Sequence, residues 1–329
     1  MRFLMKRMGV YAVCFSLVLT GCVTNQGGAG TAGAGGPNVG PQLSSIFDKT
    51  GEAVVDPGKP KLDIVVPVFD PGLSENAEDY KEEGVWPELR RAEANRFAVK
   101  LKEALEDTGA FGAVRVVPDQ TATGDLYVLG KILESNGEDV EIQVEVTDIT
   151  GDNWFTRTFD HTVDPGFHKN PRNEGRDPYD PVFAEAANRI ALELEDYEVA
   201  DLETIQHVTE LRFGSNFTEE AFAEHLDATG RTVELVSFPS EADPMLRRTR
   251  AVRVRDQLFV DGLQEHYRTF SANMQDSYLV WQEQSLLELE ARSEANEKAA
   301  GQAALGVLAI GLSALAIMAG ARSSSSAGA

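Results

Sequence analysis

Residues 140–147 read Val-Glu-Ile-Gln-Val-Glu-Val-Thr. A period of two places Val140, Ile142, Val144 and Val146 on one side and Glu141, Gln143, Glu145 and Thr147 on the other. A helix would scatter the four apolar residues around its axis, so this stretch predicts a strand with one dry face and one acidic, wet face. Asn136-Gly137 lies just before it, and this dipeptide suits a tight hairpin turn. The other arm is then Leu126 to Leu133. Thr150-Gly151-Asp152-Asn153 turns the chain again, toward a third strand over Trp154–Val163.

The flanking segments extend this hairpin into a domain. Leu62–Phe69 (LDIVVPVF) is apolar on both faces and β-branched, as a strand buried on both sides would be, and Pro67 marks a bulge or strand end. Asp70-Pro71-Gly72 turns the chain. Pro87 opens a helix whose buried stripe is Phe97, Leu101 and Leu105, with Thr108-Gly109 at its end. Val114–Val117 is a short strand. After a loop over Asp164–Pro181, Phe183, Ala187, Ile190, Leu194 and Tyr197 recur at four, three, four and three, so a second helix follows. The fold class expected is α+β: a small mixed or antiparallel sheet with helices on one face, over residues 61–197.

Residues 198–297 read as mainly helical. Pro244 opens a long amphipathic stretch, Tyr278, Trp281, Leu286 and Leu289 continue on a second one, and a joint near Ser271-Ala272-Asn273 predicts an antiparallel helical hairpin. Thr232–Phe238 predicts an isolated strand. Residues 298–322 form an apolar helix and 323–329 a tail. Ala299–Ala321 carries no charge over 23 residues, about 35 Å as a helix and enough to cross a bilayer core. Gln302, Gly306, Ala309, Ser313, Ala316 and Gly320 fall on one stripe of it. Small residues in line let helix backbones approach closely, in lipid or in an oligomer. A terminal helix packed in a soluble core would also be rich in Ala and Gly.

The chain begins with three basic residues, Arg2, Lys6 and Arg7, then an apolar run from Val10 to Leu19, then Leu19-Thr20-Gly21-Cys22. That is the layout of a secretory signal over residues 1–21, and its ending resembles the lipobox of bacterial lipoproteins. The resemblance implies that Cys22 is lipidated, with palmitate among its acyl chains, and is the first mature residue. Cys14 would leave with the signal, so the mature chain could form no internal disulfide. Residues 22–60 hold a Gly/Ala/Pro-rich run that reads as a flexible tether. Val23 replaces the Asp that retains enterobacterial lipoproteins at the inner membrane, which by resemblance implies an outer-membrane protein facing the periplasm.

The whole chain has a formal charge of −23, and loss of residues 1–21 takes three positive charges with it, leaving −26. That sign repels phosphate backbones and anionic lipid heads. Nucleic acid is therefore excluded as an expected partner, and membrane contact falls to the lipid on Cys22 and to the apolar helix.

The segment Gly124-Asp125-Leu126-Tyr127-Val128-Leu129-Gly130-Lys131-Ile132 and the arm Val144-Glu145-Val146-Thr147-Asp148-Ile149-Thr150-Gly151 carry a further resemblance. Together with the element order they resemble the envelope lipoprotein domain shared by the curli secretion channel lipoprotein and the lipoprotein activator of a penicillin-binding protein. The resemblance covers residues 61–197. It implies an adaptor fold and not a specific activity, because the long amphipathic hairpins of the channel are missing.

No catalytic residue, cofactor or metal site is expected. Asp160, His161, Asp164, His168 and Asp177 include ligand types, but their spacing fits no metal motif, and no phosphate loop, GxSxG elbow or HExxH occurs. Trp154 and Phe155 read either as an interface anchor or as core. The expected role is a non-enzymatic envelope lipoprotein, an accessory in assembly, secretion or regulation that self-associates and contacts other envelope proteins. The alternatives are a periplasmic module that binds a cell-wall enzyme or peptidoglycan, and a hydrolase centred on the loop 164–181.

Overall fold

In the computed structural model, residues 57–74, 80 and 85–323 are described, with side chains described as far as 296 except at 219. Five strands make one mixed sheet: β1 (Ile64–Pro67), β2 (Val114–Val117), β3 (Leu126–Ser135), β4 (Asp139–Asp148) and β5 (Asn153–Thr162), in the order β2-β1-β3-β4-β5. β1 runs parallel to both β2 and β3, while β3, β4 and β5 form an antiparallel meander. The α+β expectation holds at this level.

The period-two pattern of β4 is met residue by residue: Val140, Ile142, Val144 and Val146 are buried and their neighbours are half-buried. Gly137 forms the hairpin tip with φ 99, where an L side chain would be strained. Its Cα also lies so close to Ser285 that an added Cβ would sit 2.4 Å from the Ser285 Cβ. β1 is buried at all four positions and ends at Pro67, where the missing N–H leaves no ladder bond to lose.

Two helices cover one face of the sheet. α1 (Pro87–Asp107) has Pro87 in its first turn and turns Phe97, Leu101 and Leu105 inward. α2 (Asp180–Glu193) adds Phe183, Ala187 and Ile190. Phe97 is the hinge of this layer, meeting Phe183 edge-on at 5.0 Å and Tyr179 at 6.2 Å. Edge-to-face pairs of this kind add about 0.5–1.5 kcal/mol beyond the area they bury.

α3 (Val199–Ser215) follows. The strand expected alone over Thr232–Phe238 shrinks to β7 (Glu234–Leu235) and is not isolated, for it pairs with β6 (Leu226–Asp227). The helical hairpin expected around Ser271–Asn273 is not found. α4 runs without a break from Pro244 to Ser323, 80 residues and about 120 Å. Ser, Ala and Asn cost only tenths of a kcal/mol inside a helix, unlike Pro. Ser271 is also buried against the domain, where its carbonyl accepts a hydrogen bond from Arg96.

α4 crosses the β2 edge of the sheet. Val260 packs with Val65 and Val117 on the face opposite α1, so helices do not keep to one face. Gln264 then clasps the edge strand: Val116 N–H donates to its Oε1 at 2.9 Å, and its Nε2 donates to Val116 O at 2.9 Å. One amide side chain thus satisfies both exposed backbone groups of an edge residue, which blocks pairing by a foreign strand there. Further on, Tyr278 and Leu286 enter the main core. Among the described residues no helix is long and apolar enough to cross a membrane. The side chains of 299–321 lie outside the described residues.

The register of β4 yields a direct test. Ile142→Asp should unfold the domain, since it buries a charge and forfeits about 1.5–3 kcal/mol of burial. Glu141→Lys should melt within about 1 kcal/mol of the parent. Equal damage in thermal melts would mean that the two faces are exchanged.

Candidate functional site

The most elaborate constellation is polar, buried, and lies between α1, the β3–β4 hairpin, the loop before α2, and α4. α1 supplies Arg90, Glu93 and Arg96 at spacings of three, so all three lie on one side of the helix. α4 supplies Ser271, Gln275, Tyr278 and Gln282 at four, three and four. The loop supplies Asp177, whose Oδ1 accepts from the Tyr179 N–H at 3.0 Å.

Arg96 and Asp177 form an ion pair of 2.6 Å with both side chains at or near zero exposure. The Arg96 guanidinium also donates to Gln275 Oε1 at 2.5 Å and to Ser271 O at 3.3 Å, and lies 4.8 Å from the centre of the Tyr278 ring. Gln282 Nε2 donates to Asp177 Oδ1 at 3.1 Å. Glu93 Oε1 accepts from Ser135 Oγ at 2.7 Å and from the Tyr278 hydroxyl at 2.8 Å, with Arg90 Nε 3.2 Å from its other oxygen. The Tyr179 hydroxyl accepts from the Gly137 N–H at 2.7 Å, which ties the hairpin tip to the same cluster.

Burial governs the electrostatics here. It raises the Glu93 carboxyl above the usual carboxylate range, against the bonds from Ser135 and Tyr278 and the charge of Arg90. It raises the Tyr278 and Tyr179 hydroxyls too, so both remain neutral donors and acceptors at physiological pH. Two arginines and two carboxylates balance in charge. The chemistry of this arrangement is fastening: it fixes α4 in one register on the domain. Charged groups buried together specify one geometry, because any slip leaves a desolvated charge without its partner.

Two open depressions flank the sheet. A groove of about 610 Å³ lies where β1 and β2 end, walled by Phe69, Asp70, Asp119, Lys131, Gln143 and Glu145. A polar cleft of about 330 Å³ is lined by Asp63, Asp125, His207, Glu210, Arg250 and Arg253. Its charges are largely engaged in structure. Asp125 Oδ2 accepts from the Asp63 N–H at 2.8 Å, Arg115 joins Asp63 to Asp261, and Arg250 joins Glu210 to Glu241. Burial raises the Asp125 carboxyl, offset by Thr209, the Asp63 backbone and Arg253.

The residues singled out from sequence go to separate places. Trp154 is buried, stacks on Tyr197 at 4.3 Å, and donates from Nε1 to Asp148 Oδ2 at 3.1 Å, so it serves the core. Phe155 is half-buried, with the Arg189 guanidinium 5.4 Å from its ring centre. Asp177 joins the clamp, leaving the loop 164–181 without that carboxylate for acid–base work. Asp160 is exposed on β5, while burial lowers both His161 and His168. Among the described residues no group of three His, Cys, Asp or Glu side chains is placed to hold a metal. Cys22 lies outside the described residues, and so do the side chains of Gly306, Ala309, Ser313, Ala316 and Gly320. The clamp itself was missed from sequence. Its one visible signal is polar residues at helical spacing on α1 and α4 where an amphipathic pattern predicts apolar ones.

No protein-family model, no curated protein and no solved structure matches the chain.

Removing one member of the clamp should cost far more than a surface change. Arg96→Ala strands Asp177 and should destabilise the domain by about 3–5 kcal/mol in denaturant melts. Tyr278→Phe should cost about 1–3 kcal/mol by leaving Glu93 short of a donor. Arg91→Ala, on the exposed side of α1, should stay within about 0.5 kcal/mol. A mild Arg96→Ala would show that the pair is not what fastens α4.

Proposed function

We propose that this chain is a non-enzymatic lipoprotein of the bacterial envelope. Anchored through Cys22, it serves as an assembly, secretion or regulatory accessory through protein–protein contacts and self-association. The observation that carries this reading is α4. Its first part is fastened to the α+β domain by hydrogen bonds to a buried ion pair, and Glu290 lies 4.0 Å from Lys169. The helix continues for another 33 residues beyond that point, to Ser323. Residues 291–296 are exposed on every side. A helix that projects with no core of its own is marginal alone and gains stability from a partner. The element order of residues 61–197 supports the resemblance to the envelope adaptor domain, and the small-residue stripe from Gly306 to Gly320 suits close helix contact.

Two changes test this. Cys22→Ser should abolish palmitate labelling and release the protein from the membrane fraction; labelling that survives would refute the anchor. Deleting residues 299–329 should shorten the ladder of crosslinked species in intact cells and reduce membrane retention. Gly306→Leu with Ala309→Leu should act like the deletion, and Leu308→Ile should not. A truncation that fractionates and crosslinks like the full chain would leave the apolar helix without the proposed role.

A further inference from the structure

The outer side of α4 turns away from the α+β domain, yet it is not uniformly polar. Val254, Leu258 and Phe259 are 54%, 65% and 69% exposed, and Val280 further along is 58% exposed. These positions lie opposite Val260, Ser271, Tyr278 and Gln282, which face the domain. Gly262, on the same outer side, has nothing within 4 Å of where a Cβ would stand.

The helix is also polarised along its length. Residues 247–255 hold five arginines, of which Arg250 and Arg253 pair with carboxylates of the chain and Arg247, Arg248 and Arg255 are exposed, whereas 283–297 holds five glutamates and one arginine. The two ends are therefore complementary to each other and repel themselves. Two such helices laid side by side and parallel would set Arg255 against Arg255 and Glu288 against Glu288. Laid antiparallel about a two-fold axis level with Ser271, they place Val280 over the Gly262 gap, His266 opposite Asp276, Ala251 opposite Ala291, and Arg255 beside Glu288. Each of these contacts occurs twice.

We propose that the outer face of α4 binds a second copy of this chain, antiparallel, in that register. The overlap would run from about residue 248 to 294, roughly 70 Å of helix. The proposal rests on the reading that the chain self-associates, and adds the partner's direction and register. It requires neither lipid nor residues 299–321. It also sends the two apolar segments to opposite ends, so their small-residue stripes lie outside this dimer.

Disulfide trapping in the full-length chain, with Cys14 and Cys22 replaced by Ser, tests the register. Gly262→Cys and Val280→Cys are made in separate chains and mixed. The 262–280 heterodimer should trap rapidly, and each protein alone should trap little. Charge reversal supplies a second arm, because Arg255→Glu and Glu288→Arg should each weaken self-association about tenfold. Mixing the two should restore it, since the heterodimer holds one reversed pair and one original pair, both of opposite charge. A 262–262 or 280–280 disulfide forming as fast as the mixed one overturns the antiparallel register but leaves self-association standing. A chain that stays monomeric at tens of micromolar overturns both. Trapping only to a different envelope protein overturns the second copy as occupant.

Discussion

The buried pair of Arg96 and Asp177 is the interaction on which the placement of everything else depends. At 2.6 Å and out of water, neither charge tolerates separation. Arg96 belongs to α1, Asp177 to the loop that leads into α2, and Gln275, Gln282 and Tyr278, which complete their shells, belong to α4. A single cluster therefore fixes three elements that are far apart in sequence. Apolar contacts supply most of the free energy of the fold, yet they would tolerate a helix shifted by one turn. The polar cluster does not, and that is how an 80-residue helix acquires one register on a small domain.

Fastening α4 has consequences at the sheet edge. With Tyr278 and Gln282 held, Gln264 falls level with Val116 and closes the exposed ladder of β2. Val260 reaches the second face, and Arg115 bridges Asp63 to Asp261. The domain thus needs no disulfide to hold its edge, consistent with an expected mature chain whose only cysteine is Cys22. It also turns the other side of the same helix toward solvent, where the charge gradient and the Gly262 gap become available to a partner.

The sheet was legible in the sequence because its signals are local. The alternation at 140–147, the Asn136-Gly137 turn and the β-branched run at 62–69 each carry the physics of a strand within a few residues. The helical hairpin failed for the opposite reason. Ser271-Ala272-Asn273 resembles a joint in composition, but the helix persists there because Arg96, 175 residues earlier, binds the Ser271 carbonyl. Tertiary contacts override weak propensity, and no local window contains them. The clamp was hidden for the same reason, since Glu93, Arg96 and Gln282 look like surface residues until the partner elements are packed. Trp154, with two readings open, resolved to the core through Tyr197 and Asp148.

Hydrogen exchange on the full-length protein, resolved by residue, tests the central claim that α4 is one helix locked to the domain by this cluster. The account predicts that amides from 264 to 286 exchange only by global unfolding, with no gap at 271–273, and that protection falls after 290. In Arg96→Ala the protection of 264–286 should drop together with that of α1. Fast exchange at 271–273 in the parent protein, or protection of 264–286 that is indifferent to Arg96, would contradict it.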